Sequence, residues 1–260
     1  MRLTNLIVAK LRLRSFRDNS VRVMTEFVLN FDDEHSTGFL IKFGKARYLN
    51  DIRNGKLRFG SLAYYREFDS KNINIKSNIG DENEGVACIH RRNENTEFEF
   101  QHQLLGNSPR NITNSVESFK DFPNYSKYIA SFSYFTKSDI LNQSIFSKKI
   151  LENPDWDSVL FIIDSASFLE NIQEACKNCN LRYGKVEYAD YENQILNADE
   201  FNKSNNYAFQ KEFRFSIDLA GKDSDCFKQI QFLTIRFEKV PSVIIPTKEF
   251  LNSFILENIK

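Results

Sequence analysis

Apolar and polar residues follow short, regular patterns along most of the chain, and one segment near its N-terminal end is the most informative. An apolar run over residues 39–43 predicts a strand, and apolar positions at helical spacing predict a short helix over residues 46–53. A second strand is predicted over residues 56–59, and Gly60-Ser61 is a pair that breaks strands. The bend that follows is rich in aromatic and charged side chains, which is more typical of a ligand-contacting wall than of a core strand.

The rest of the chain carries more strand-like than helix-like patterns. Alternating or continuous apolar runs predict strands over residues 11–16, 86–89, 96–101, 128–135, 158–163, 181–188, 213–219, 229–240 and 243–245. Helical spacing predicts helices over residues 144–151, 165–179 and 249–259. The strongly apolar runs over residues 128–135 and 158–163 are expected at the centre of a sheet.

These elements predict a single α+β domain over residues 1–260, with a mostly antiparallel sheet and peripheral helices. Within it, we assign residues 1–38 to an N-terminal extension with edge strands. Residues 39–218 form the predicted core, and residues 219–260 supply C-terminal strands and a helix.

The N-terminal strand alternates between apolar and basic residues. Leu11, Leu13 and Phe16 are separated by Arg12 and Arg14, so one face of the strand is basic. Natural sheets often protect an edge strand with charged side chains, and we therefore interpret this segment as an edge strand with a solvated basic face. The alternative is a strip of arginines that contacts phosphate groups.

Charge and length exclude several classes of protein. The 260 residues contain 35 basic and 35 acidic side chains, a balance that argues against a constitutively basic nucleic-acid scaffold. No apolar run approaches the roughly 20 residues of a membrane-spanning helix, so we expect no membrane association. The chain begins without the pattern of a signal peptide, and its four cysteines are then most simply the reduced thiols of a cytoplasmic protein.

Sequence motifs for metals and for phosphate-binding loops are absent or incomplete. Cys176 and Cys179 have CxxC spacing but no second pair of ligands, so we interpret them as buried thiols and not as a zinc site. The sequence contains no P-loop and no GxGxxG fingerprint. The acidic segment over residues 81–84 is framed by glycines, which is typical of a solvated turn, with a cation site as the alternative. We expect no metal.

A carboxylate at the start of a late strand is the best candidate for chemistry. Period-two alternation places Glu212 and Arg214 on the face opposite Phe213 and Phe215. If that face lines a cleft, Glu212 would orient a sugar hydroxyl and stabilise an oxocarbenium-like transition state. The alternative is a surface charge cluster of Lys211, Glu212 and Arg214, which would contribute little energy.

The order of five segments resembles that of a widespread bacterial family, an uncharacterised domain many of whose members occur in phage-defence neighbourhoods. The segments are FLIKFGKARYLNDIRNGKLRFGSLAYY, IASFSYF, SVLFIID, GKVEYADYE and YAFQKEFRFSI, and they span residues 39–218. The chain lacks the Trp-x-x-Tyr and His-Lys-Gly stretches that precede the SVLFIID-like strand in that family. The family is similar in turn to NAD-dependent ADP-ribosyltransferases of the nucleic-acid-modifying toxin type.

This resemblance implies a fold, a substrate and a set of site residues. It implies an ADP-ribosyltransferase-like fold in which an early strand–helix–strand unit holds NAD and a Glu that opens a late strand is catalytic. The implied catalytic residues are Glu212 and Arg58, and the implied NAD-binding residues are Lys42, Phe43, Gly44, Tyr64, Tyr65 and Arg66. Their chemistry suits NAD, because a pyrophosphate binds cations and a nicotinamide ring stacks on aromatic rings.

Three functions follow from these observations. The first is an NAD-dependent ADP-ribosyltransferase that acts as an intracellular toxin or anti-phage defence effector. Its favoured acceptor is nucleic acid, followed by protein, and an antitoxin or phage protein is a further partner. The second is a non-catalytic module that senses a nucleotide or a phage component. The third and weakest is a nuclease that binds magnesium through Asp81, Glu82 and Glu84.

The transferase hypothesis makes two testable predictions. Glu212 and Tyr64 must share one cleft. In addition, we expect Glu212→Gln to abolish transfer and to leave the fold intact.

Overall fold

The structure of the protein is a computed structural model. It describes residues 9–17, 21–29, 38–65, 88–89, 126–136, 139, 149–150, 153, 155–190, 196–197, 199–219, 230–252 and 254–255.

Strands dominate the described residues. In chain order they are β1 (Ala9–Arg17), β2 (Val21–Leu29), β3 (Phe39–Gly44), β4 (Lys56–Ser61), β5 (Cys88–Ile89), β6 (Lys127–Phe135), β7 (Ser158–Ile162), β8 (Asn180–Lys185), β9 (Glu187–Ala189), β10 (Leu196–Asn197), β11 (Asn202–Ser204), β12 (Glu212–Asp218), β13 (Phe232–Arg236), β14 (Ser242–Pro246) and β15 (Phe254–Ile255). The helices are α1 (Ala46–Arg53), α2 (Ser165–Ala175) and α3 (Thr247–Asn252), with a helical turn over residues 62–65 and a 3₁₀ helix at Asn205–Gln210.

The main sheet is built on β6. Along one direction the strand order is β13-β4-β6-β3-β7-β14, and β12 lies on the other edge of β6 with β8 beyond it. Every pairing described in this sheet is antiparallel. The α+β class, the mostly antiparallel sheet and the central position of residues 128–135 are therefore confirmed. Because β13 and β14 form the two ends of this order, the sheet extends beyond the core assigned to residues 39–218.

Two strands, β4 and β3, pair with different parts of the same edge of β6. On that edge β4 pairs with Tyr128 and Ile129, whereas β3 pairs with residues 133–135. Among the pairings that the structure describes, residues 130–132 have no strand partner on this edge, and their other edge pairs with β12. β3 and β4 therefore diverge beside the middle of β6 and leave a gap between them.

Two hydrophobic clusters cover the two faces of the main sheet. One joins side chains of α1 and α2, such as Leu49 and Phe168, to strand residues such as Leu40. The other includes Ile41 and the α3 residue Phe250. Leu40 and Ile41 are neighbours in sequence but belong to different clusters, because side chains on a strand alternate between faces. Each face of the sheet thus carries a hydrophobic cluster.

The remaining strands form three smaller sheets, with the orders β15-β1-β2 and β10-β5 and the parallel pair β9-β11. β1 pairs with β2 along its whole length and with β15 at Lys10 and Leu11, so within the predicted edge strand over residues 11–16 only Leu11 has described strand partners on both sides. The prediction of a C-terminal helix over residues 249–259 is wrong in extent. α3 ends at Asn252, and the chain becomes a strand again at Phe254.

Several predicted boundaries differ from those observed. β4 continues through Gly60 and Ser61, where it pairs with both β6 and β13, so the predicted break is wrong. The helix predicted over residues 165–179 ends at Ala175. The predicted strand over residues 181–188 divides into β8 and β9 at Val186.

Other predictions concern residues outside the described ranges. These are the strand over residues 96–101, the acidic segment over residues 81–84 and most of the helix over residues 144–151. Within the described ranges, no helix is long and apolar enough to cross a membrane.

Gly55 closes the strand–helix–strand unit formed by β3, α1 and β4. It follows Asn54, the C-cap of α1, and has a φ of +78°, in the left-handed region that commonly ends helices. A Cβ atom at this position would lie 2.3 Å from the backbone oxygen of Phe237. Both the backbone conformation and the available space therefore require glycine.

We expect Gly55→Ala to lower the free energy of unfolding by about 1–3 kcal/mol, because alanine would be strained in this conformation and would clash with a backbone atom. Guanidinium chloride unfolding measures the change. Gly184→Ala in β8 is the matched control, since its Cβ would meet Phe201 at an ordinary distance of 3.9 Å. Equal losses in the two variants would contradict the role of Gly55.

Candidate functional site

A cavity opens where β3 and β4 diverge. Its volume is about 350 Å³, and residues of β3, α1, β4, β6 and β12 line it. Seven of the implied site residues contact it, namely Lys42, Phe43, Gly44, Arg58, Tyr64, Tyr65 and Glu212. The eighth, Arg66, lies outside the described residues. Glu212 and Tyr64, which the transferase requires in one cleft, line the same cavity.

Glu212 belongs to a buried ion cluster. Lys203 Nζ donates to Glu212 Oε1 at 2.7 Å, and Arg214 Nε donates to Glu212 Oε2 at 2.7 Å. The exposed fractions are 5% for Glu212, 2% for Lys203 and 1% for Arg214. The alternative of a surface charge cluster is therefore wrong, and its third member, Lys211, pairs instead with Asp139.

The parallel pair β9-β11 positions this cluster. Lys203 in β11 is in register with Tyr188 in β9, so this short sheet brings both side chains to the start of β12. The backbone N–H of Glu212 donates to the Tyr188 hydroxyl at 2.8 Å. Lys203 Nζ also donates to Gln210 Oε1 at 2.9 Å. Glu212 is thus held at both its backbone and its side chain.

The neighbouring cations keep Glu212 ionised. Burial by itself raises the pKa of Glu212, but the Arg214 guanidinium and the Lys203 ammonium together hold the pKa well below its usual value of 4.5. Each carboxylate oxygen accepts one hydrogen bond from these cations and has the capacity to accept another. Glu212 can therefore accept a hydrogen bond from a ligand hydroxyl while it remains negatively charged.

Lys42 occupies the gap in the sheet. Its Nζ donates to the backbone oxygen of Ser131, which lies in the middle of β6, and is 5.4 Å from the ring centroid of Phe132. Desolvation inside the protein lowers the pKa of Lys42 to about 8, while Glu212 opposes this shift and Arg58 adds to it. The ammonium group is therefore mostly charged at neutral pH and loses its charge a little above it.

Arg58 and several aromatic rings form the outer wall of the cavity. The Arg58 guanidinium lies 4.3 Å from the Phe232 ring centroid and 5.4 Å from the Tyr48 centroid. Tyr64 packs edge-on against Phe232, with centroids 4.7 Å apart, and also against Tyr65. In the part of the chain that the structure describes, no carboxylate forms an ion pair with Arg58, so its charge is available to a ligand.

Cations outnumber carboxylates in the lining of the cavity. Lys45 and Asp155 form an ion pair of 2.7 Å, and Glu212 is paired as described above. The described lining contains five cations, Lys42, Lys45, Arg58, Lys203 and Arg214, against the two carboxylates Asp155 and Glu212. This excess of positive charge favours an anionic ligand, and the aromatic walls favour one with a planar ring.

Sequence reasoning missed several residues of this site, among them Tyr48, Trp156, Tyr188 and Lys203. Trp156 lines the cavity and stacks on Phe43, with ring centroids 5.8 Å apart. It carries one local signal, because it is the only tryptophan and lies in a polar turn. Lys203 and Tyr188 carry none, since their role depends on the pairing of two short strands that are separated in sequence.

The prediction of buried thiols is confirmed for one of the two CxxC cysteines. Cys176 is a free, buried thiol at the end of α2, and burial raises its pKa to about 11. Cys179 is also a free thiol, but it is only half-buried. Among the described residues, no group of three His, Cys, Asp or Glu side chains lies close enough together to hold a metal ion.

Comparison of the chain with family models, with curated proteins and with solved structures finds no match. The resemblance drawn from the order of sequence segments therefore stays a prediction. The geometry and charge of the cavity carry the functional inference.

The buried pairing of Glu212 changes the expectation that Glu212→Gln leaves the fold intact. The folded-state pKa of Glu212 lies below its unfolded value of 4.5, so its stabilisation is present above pH 4.5 and is lost progressively as the pH falls below it. We expect Glu212→Gln to lower the free energy of unfolding by about 3–5 kcal/mol at pH 7, and by about 2 kcal/mol less than that at pH 3, which lies about 1.5 units below the unfolded pKa.

Urea unfolding at a series of pH values measures this difference between Glu212→Gln and wild type. Glu174→Gln is the control, because Glu174 forms an exposed ion pair with Lys177 and its loss should cost little at any pH. A difference between Glu212→Gln and wild type that stays constant from pH 7 to pH 3 would show that the charge of Glu212 does not stabilise the fold.

Proposed function

We propose that the chain is an NAD-dependent ADP-ribosyltransferase that acts inside the cell as a toxin or anti-phage defence effector. The observation that carries this proposal is the shared cavity of one ionised carboxylate, Glu212, the cations Lys42 and Arg58, and the aromatic rings of Tyr64 and Tyr65. Cleavage of the glycosidic bond of NAD uses these three kinds of group. The toxin or defence role is supported by the sequence resemblance alone.

The charges and rings of NAD complement those of the cavity. Its pyrophosphate would bind to Lys42 and Arg58 through charge-assisted hydrogen bonds. Its nicotinamide ring would stack on Tyr64, Tyr65 or Trp156. The cavity volume of about 350 Å³ falls at the lower end of the ~300–1,000 Å³ of small-molecule sites. The dinucleotide would therefore extend through the mouth of the cavity.

The proposed reaction exchanges one bond at the anomeric carbon of the nicotinamide ribose. The carbon–nitrogen bond breaks, and nicotinamide leaves with the bonding electron pair, so that the sugar becomes oxocarbenium-like. A nucleophilic oxygen or nitrogen of the acceptor then bonds to this carbon and loses its proton to water. Glu212 would accept a hydrogen bond from a ribose hydroxyl and stabilise the developing positive charge. We favour nucleic acid as the acceptor, followed by protein.

The two cations that pair with Glu212 support a second candidate function. Lys203 and Arg214 hold the carboxylate in one position, as a preorganised catalytic group would be held. However, they also neutralise part of the negative charge that would stabilise an oxocarbenium ion, and this favours a protein that binds a ligand without reacting with it. A non-catalytic sensor needs only the binding groups of the cavity, and it would hold a nucleotide without cleaving it.

We expect the purified protein to release nicotinamide from NAD in the presence of cellular RNA, DNA or protein. Glu212→Gln should lower the rate of release by about 10²- to 10³-fold, because the variant loses the negative charge beside the sugar. Chromatographic measurement of nicotinamide tests this expectation. Binding of NAD without release of nicotinamide under any of these conditions would replace the transferase with the sensor.

Glu200→Gln is the matched control for the stability cost of Glu212→Gln. Glu200 is also a buried carboxylate held by two cations, Lys127 and Arg182, but it does not line the cavity. Both variants should be assayed at a temperature at which circular dichroism shows them folded. A loss of activity in Glu200→Gln as large as that in Glu212→Gln would assign the effect to stability.

We expect the affinity for NAD to fall as the pH rises through about 8, because Lys42 then loses the positive charge that binds phosphate. Lys42→Arg keeps this charge and should remove the pH dependence. Lys42→Gln should weaken binding roughly tenfold or more at pH 7, through loss of a charged hydrogen bond. Quenching of Trp156 fluorescence reports binding, since this sole tryptophan lines the cavity. An unchanged pH dependence in Lys42→Arg would assign it to a different group.

A further inference from the structure

Arginine and aromatic side chains form a continuous stack at the mouth of the cavity. The Arg47 guanidinium lies 4.6 Å from the Tyr48 ring centroid, and its Nη2 donates to the Tyr48 hydroxyl at 2.8 Å. Arg58 lies 5.4 Å from the same centroid and 4.3 Å from that of Phe232. The Tyr48 ring therefore contacts two guanidinium groups, one from its own helix and one from β4.

Packing does not explain the position of Tyr48. Its side chain is 44% exposed, whereas the α1 residues Leu49 and Ile52 are buried in the core. The large apolar side chains exposed in the described part of the chain are Tyr48, Tyr183 and Ile230, and of these Tyr48 lines the cavity. An exposed ring with arginines beside it provides a surface on which a planar base can stack, with cations for the attached phosphate.

The position of Glu212 decides which end of NAD lies at this stack. In the proposed reaction the Glu212 carboxylate lies close to the nicotinamide ribose, and Glu212 is 5% exposed whereas Tyr48 is 44% exposed. The nicotinamide half of NAD therefore lies deeper in the cavity, and the adenosine half lies at its mouth. Adenine is neutral and its phosphate is anionic, so an adenine nucleotide matches both the ring and the cations at the mouth.

We propose that Tyr48, Arg47 and Arg58 form a subsite for an adenine nucleotide. The base stacks on the Tyr48 ring, and the phosphate binds to the two guanidinium groups. The inference rests on the proposed function for the placement of the nicotinamide end at Glu212. The subsite fixes the direction of the dinucleotide, with its adenosine half at the mouth, and it binds ADP in competition with NAD.

Isothermal titration calorimetry with ADP tests the subsite without requiring turnover. Tyr48→Leu should bind ADP roughly 5- to 100-fold more weakly than wild type, which corresponds to the loss of one base–aromatic stack. Tyr48→Trp should retain the affinity for ADP, because it keeps a planar ring at the same position. Arg47→Gln should also weaken ADP binding. The affinity of Tyr48→Leu for nicotinamide mononucleotide should stay within about twofold of wild type, since only the adenine stack, worth ~1–3 kcal/mol, is lost.

Tyr183→Leu is the matched control, because Tyr183 is a 41% exposed tyrosine in β8 that does not line the cavity. It should bind ADP as wild type does. An ADP affinity in Tyr48→Leu equal to that of wild type would overturn the subsite, as would a wild-type protein that does not bind ADP. If ADP binding depends on Tyr48 but NAD is never cleaved, the subsite stands and the transferase proposal fails.

Discussion

The site depends on one buried ion cluster, in which the Glu212 carboxylate accepts hydrogen bonds from Lys203 and Arg214. Removing three charged groups from water is costly, and only close pairing with further hydrogen bonds offsets that cost. The surrounding backbone supplies these bonds, since Arg214 also donates to the carbonyl of Glu200 at 2.6 Å. The small β9-β11 sheet positions Lys203 and Tyr188 at the start of β12, where both contact Glu212.

The gap in the main sheet is the second constraint, and it generates both the cavity and one of its cations. Where β3 and β4 diverge, a backbone carbonyl of β6 has no strand neighbour among the described residues, and a buried unpaired carbonyl is unfavourable. Lys42 supplies the missing donor to Ser131 and thereby places a positive charge inside the protein. Desolvation then lowers the pKa of this amine to about 8. The irregularity of the sheet and the electrostatics of the site have the same origin.

Burial differs along the cavity. The Glu212 carboxylate is buried, whereas Arg58 and Tyr48 are exposed at the mouth. Cations line both regions, so a ligand with a central diphosphate and a planar ring fits this order of groups. Because Lys203 and Arg214 hold Glu212 rigidly, the carboxylate does not have to reorient during a reaction, but the same cations weaken the negative potential that it exerts on a ligand. A transferase requires the first effect to be larger, whereas a sensor built from the same groups does not.

Short-range patterns in the sequence determined most elements of the main sheet and the face to which Glu212 belongs. Periodicity depends on residues two to four positions apart, so β3, α1, β6 and β7 could be located from the chain alone. The segment order also selected seven residues that line one cavity. Only the tertiary structure decided that β15 pairs with the start of β1, that Lys203 pairs with Glu212 and that Tyr48 lies at the cavity mouth. These features depend on the register between strands that are distant in sequence, which no local pattern encodes.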